Sequence, residues 1–148
     1  MIPRLHKAAG QLAILTIATF WLSTAASELL LGKEAVTAVK VLIPWGFLIL
    51  VPAMVVAGAT GMTLAKGRTD GIPGAKRKRM PFIAANGLLV LIPAALFLAA
   101  KARAGEFDGT FRAVQAVELV AGALNILMMS RNIRDGRTMT AGRRLKAA

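Results

Sequence analysis

The sequence predicts an all-α integral membrane protein, a four-helix transmembrane bundle with its N- and C-termini in the cytoplasm. Three observations carry that expectation. Four apolar runs, at about 10–31, 41–65, 82–100 and 113–130, occupy most of the 148 residues. Each can cross hydrocarbon about 30 Å thick, which takes roughly 20 helical residues. The composition is 56% hydrophobic with a mean hydropathy of +0.62, well above that of a soluble domain. The basic residues gather on one side of the runs. Short connections leave room for one membrane domain, 1–148, and no separate soluble one.

Sidedness follows from charge, because cytoplasmic loops carry excess Lys and Arg. Arg4 and Lys7 precede the first run, Lys66, Arg68 and Lys76–Arg79 lie in the connection 66–80, and six more basic residues lie in the tail 131–148. Only Lys33, Lys40, Lys101, Arg103 and Arg112 fall on the other side, among Glu28, Glu34, Glu106 and Asp108. The termini and the 66–80 connection are expected in the cytoplasm, and the 32–40 and 101–112 connections outside. The expected location is the inner (cytoplasmic) membrane. The net charge of +12 has this simple origin, so nucleic acid is not an expected partner. Anionic lipid head groups are, at about 1 kcal/mol per basic residue near the surface.

The first run starts near Gly10 and ends near Leu31. Arg4–Lys7 and Thr24-Ala25-Ala26 resemble a signal peptide, but the apolar stretch exceeds the usual 7–15 residues, so a retained helix is expected. Thr16, Thr19, Ser23 and Ser27 draw a small polar stripe, read as a helix–helix contact. The second run contains Pro44 and Pro52, which neighbouring helices can accommodate in a membrane. Trp45 falls near the outer interface. Turn signals at Thr69-Asp70-Gly71 and Pro73-Gly74 mark the connection to the third run, which carries Pro93 near its middle. In the fourth, Gln115, Glu118, Gly122, Asn125 and Met129 recur at steps of three and four, a seam facing partner helices. Arg131-Asn132 and Asp135-Gly136 read as its end, leaving 131–148 as a basic tail.

Ionisable residues inside spans are rare and usually face the bundle interior. Glu118 lies about six residues past Arg112, so roughly 9 Å deep. With Lys40, Glu28 and Gln115 it forms an expected outer polar layer, a ligand or proton site with Ser27 and Thr24 beneath. Gln11, Thr60, Asn86 and Asn125 form an expected inner layer. Phe20, Phe47, Val51, Met54 and Val90 are candidate plugs between them.

The chain has no cysteine, which removes disulfides, thiolate metal sites and cysteine nucleophiles. The single histidine, His6, cannot supply a bis-histidine haem or a serine triad near the outer layer. No metal spacing and no phosphate-cradling glycine loop is present. No catalytic residue, metal or cofactor is therefore expected, apart from an acid–base role for Glu118. The leading expectation is a small membrane protein that binds or transports a small molecule through an outward-facing polar pocket. A second is a non-catalytic accessory or assembly subunit of a larger membrane complex, such as a respiratory one; a homo-oligomer is the other assembly considered. A third is a haem or quinone protein, with the haem held by His6 and a methionine.

Overall fold

The computed structural model describes residues 1–65 and 71–145, with side chains at 1–64 and 78–138. The elements are α1 (Ile2–Leu30), α2 (Lys33–Ala65), α3 (Gly71–Asn86), a π-helical turn (Gly87–Leu91), α4 (Ile92–Arg103) and α5 (Gly109–Leu145). The segment from α3 through the π turn to α4 is one rod, so the described chain makes four antiparallel rods. All four are long and apolar enough to cross a membrane. One end of the bundle carries both termini, and the other carries the two hairpin connections.

Local chemistry sets the boundaries. Pro3 opens α1, where its missing donor is harmless. Leu31 leaves α1 in extended backbone, its N–H still reaching the Ser27 carbonyl at 3.2 Å. The turn to α2 is only Leu31 and Gly32, so the expected connection 32–40 is mostly helix. Its charges looked like loop, but Glu34 sits in the favourable first turn and Lys40 goes inside. At the other hairpin, Gly105 takes φ +72°, a left-handed value that glycine adopts without penalty. Asp108 Oδ1 then accepts the Phe111 N–H at 2.9 Å and caps the start of α5.

Pro44 and Pro52 leave α2 an unbroken helix. Pro93 follows the π turn with only Ile92 between. A proline ring clashes with the carbonyl four residues before it, here Leu89, and the wider turn relieves that contact.

Two boundaries differ from expectation at the terminal end. α3 begins at Gly71, so Pro73-Gly74 opens a helix rather than a turn, while Thr69-Asp70, Lys66 and Arg68 lie outside the described residues. α5 does not stop near Ser130 but continues to Leu145, so most of the expected tail is helical. Tertiary contacts override the stop signals. Arg79 donates to Asp135 Oδ2 at 2.8 Å and to Asn132 Oδ1 at 3.1 Å, and Asn132 Nδ2 reaches Met80 Sδ at 3.7 Å.

The core has two parts. Ala13, Ile17, Leu50, Ala53, Ile83 and Met129 pack together toward the terminal end. Val36, Leu98, Ala102 and Phe111 pack at the hairpin end. Alanines on the inner face of α1 let α2 approach closely. α2 also lies against α4, but withdraws from α3. The bundle's exterior is apolar, with leucines such as Leu15, Leu22, Leu48 and Leu89 exposed.

The expected polar stripe on α1 makes no hydrogen bond to another helix among the described residues. Thr16 and Thr19 donate to the carbonyls of Leu12 and Leu15, and Ser23 and Ser27 to those of Phe20 and Thr24. Each hydroxyl is satisfied by its own helix, so nothing draws the stripe inward. Of the four, only Ser27 is buried.

Candidate functional site

α5 supplies the inward face. Gln115, Gly122, Asn125 and Met129 are buried and Glu118 nearly so, and the same face extends to Phe111 and Asn132. The steps of three and four place these side chains on one stripe.

At the hairpin end the stripe meets Lys40, whose side chain is fully buried. Lys40 Nζ pairs with Glu118 Oε2 and lies 3.4 Å from Thr24 Oγ1. Gln115 Nε2 donates to the same Glu118 oxygen at 3.2 Å. Glu28 is within electrostatic reach of the Lys40 ammonium. Its Oε1, like Gln115 Oε1, is buried without a hydrogen-bond partner among the described residues. The four expected outer residues thus come together, with Lys40 at the centre rather than at the mouth of a span. A charge this deep is tolerated because an opposite charge and hydrogen bonds surround it.

The expected inner layer divides. Gln11 is exposed on α1 and takes no part. Thr60 Oγ1 lies 3.1 Å from His6 Nδ1, which also lies 3.1 Å from the Ala57 carbonyl oxygen. These contacts tie α1 to α2, and Gly61 leaves room for the imidazole, since a Cβ there would sit 3.1 Å from its Cε1. On the other side of the bundle, Asn86 Nδ2 donates to the Ala121 carbonyl at 2.9 Å. Asn125 is 0% exposed, and neither its Oδ1 nor its Nδ2 has a partner among the described residues.

Between these groups lies a cavity of about 260 Å³. Phe20, Trp21, Phe47, Met54, Ile83 and Leu119 form much of its wall, and Thr24, Glu118 and Asn125 are its polar points. Its lining is mostly apolar, and Lys40 and Gln115, which engage Glu118, are not part of it. Phe20, Phe47, Val51 and Met54 line this space instead of plugging it, and Val90 is not part of the lining. Trp21 Nε1 donates to the Leu119 carbonyl at 2.8 Å and fixes the indole against α5. Exposed residues on the cavity wall mark its mouth: Val51 and Val55 on α2, and Leu88 on the π turn. The opening is in the side of the bundle, where α2 and α3 part.

Sequence reasoning missed Trp21, Gly87 and the cavity itself. The available signal was Pro93, whose π turn offsets α3 from α4.

No family model matches the chain, and neither a curated protein nor a solved structure shows significant similarity to it. The fold and site define a class only: an apolar four-rod helical bundle with a side-opening internal cavity.

Proposed function

We propose that this is a multi-pass protein of the cytoplasmic membrane, with both termini inside, that binds a small amphipathic molecule in the cavity and carries or presents it. The placement rests on the four apolar rods and the basic bias of their terminal ends. The observation that carries the binding role is Glu118: an ionisable group, ion-paired to a fully buried Lys40, standing in the cavity wall. Carboxylates so placed are retained where protons or substrates are handled.

Trp21 lines the cavity, and Trp45 is the other tryptophan in the chain. In a Trp45→Phe background, Trp21 emission reports occupancy. Whatever copurifies should be identified by mass spectrometry and titrated back into nanodiscs while emission is read across pH. Glu118→Gln is expected to abolish the pH dependence of binding. An unchanged profile removes Glu118 from the mechanism.

A further inference from the structure

Asn125 is an amide held where nothing answers it. A buried amide normally finds partners for both its oxygen and its nitrogen. Here both are unanswered among the described residues, the side chain is completely buried, and it lines the cavity. The residue facing its Nδ2 from the opposite wall is a glycine, with no side chain to answer it. A Cβ on Gly87 would stand 3.9 Å from Asn125 Nδ2, in van der Waals contact, so any larger side chain there would crowd the amide. Around this one polar point the lining is apolar, and Gly58 on α2 faces open space. At about 260 Å³ the cavity exceeds the roughly 150 Å³ that suffices to hold a benzene molecule in an apolar protein interior.

Resting on the reading that this cavity binds a small molecule, we propose the chemistry of its occupant. It is a lipid-soluble molecule whose uncharged head both donates and accepts a hydrogen bond, as a carboxamide or an unionised carboxylic acid does. The head pairs with Asn125, the acceptor receiving from Nδ2 and the donor giving to Oδ1. Its apolar body lies along Phe47, Met54 and Ile83. The occupant enters from the bilayer through the mouth between Val55 and Leu88, so it need not cross the charged hairpin end. An uncharged head is required because Asn125 offers no counter-charge and Lys40 is already neutralised by Glu118.

The test uses the full chain with Trp45→Phe in nanodiscs and three probes of equal length. These are an alkanamide, the matching methyl ester and the matching alkane, each brominated beside its head position so that bromine quenches indole on contact. The amide is expected to quench Trp21 saturably, at bilayer mole fractions at least tenfold below those the ester needs. The alkane is expected to quench without saturation. Asn125→Leu is nearly isosteric and removes the orphaned amide. It should erase the amide's advantage while raising the unfolding temperature of the empty protein. Gly87→Leu, which crowds the amide while leaving Asn125 in the chain, should block the amide too and covers the case in which the first variant does not fold.

Ester and amide binding equally well would overturn the donor–acceptor head, leaving small-molecule binding intact. So would an Asn125→Leu protein that loses thermal stability and keeps the amide's advantage, since Asn125 would then serve the fold. Saturable quenching by no probe would overturn this inference, while a copurifying occupant sensitive to Glu118→Gln would keep the proposed function standing.

Discussion

Glu118 and Asn125 lie seven residues apart on the inward face of α5, and the fold treats them in opposite ways. Glu118 has an ammonium and an amide on one carboxylate oxygen. Asn125 has nothing among the described residues. The difference follows from magnitudes. An unpaired buried charge destabilises by about 3–5 kcal/mol, so a chain of ordinary stability must answer it within its own fold. An unpaired neutral amide costs about 1–3 kcal/mol, which a bundle can carry until a ligand supplies the partner. Glu118 is therefore held within its own fold, and Asn125 is left unanswered beside the cavity.

The largest test of that contrast is Lys40→Met. It leaves Glu118 buried and unpaired, and should lower stability by about 3–5 kcal/mol in thermal or denaturant unfolding. The double variant Lys40→Met/Glu118→Met should recover most of the loss. A single variant as stable as the double would mean that Glu118 does not bear a buried charge, and the contrast would fail.

The next test concerns the short stretch between the two residues. A Cβ on Gly122 would meet Trp21 Cδ1 at 2.8 Å, so Gly122→Ala overpacks the wall and should cost about 1–3 kcal/mol. Gly58→Ala, on the opposite wall, meets nothing within 4 Å and should be tolerated. Equal effects at both glycines would show that the cavity is not held open on its α2 side.

The smallest effect belongs to the exposed charges of the α4–α5 connection. Lys101 Nζ and the Phe111 N–H hold the Asp108 carboxyl below its ordinary 3.8. A depressed carboxyl contributes stability that is fully present above its unfolded value and disappears as pH falls through the folded value. Asp108→Asn should therefore unfold at a slightly lower temperature than the parent at neutral pH. Melting curves taken at successively lower pH should converge below the usual carboxylate range. A gap that persists in strong acid would assign the effect to the cap geometry rather than the charge.

The α5 stripe was legible in the sequence because polar residues at steps of three and four stand out against an apolar run. Lys40 was legible as a partner of Glu118, but not as a buried residue. A charge near the end of an apolar run reads as a boundary until the helix before it is known. Gln11, Thr16 and Thr19 misled for a related reason. Spacing draws a stripe but does not say which way it faces, and hydroxyls bonded to their own carbonyls exert no pull inward. The long α5 was hidden because Asp135-Gly136 signals a stop only where nothing else holds the chain. Arg79 and Met80 are brought there by a different helix. The cavity left no trace beyond Pro93, since it arises where two rods part.

The π turn at Gly87–Leu91 has a consequence for how this chain can change by insertion and deletion. It lets α3 and α4 take independent azimuths on one rod, α4 facing α2 and α3 facing α5. The wide turn absorbs one extra residue, so loss of one residue there should leave α3 and α4 nearly in their present alignment, whereas tightening the turn to a plain helix at full length would swing α3 by about 100° relative to α4. Arg79, Met80 and Ile83 would turn away from Asp135, Asn132 and the core together, and Gly87 away from Asn125. Whether this turn stays wide thus governs the rotational alignment of half the bundle, and with it the side entrance of the cavity.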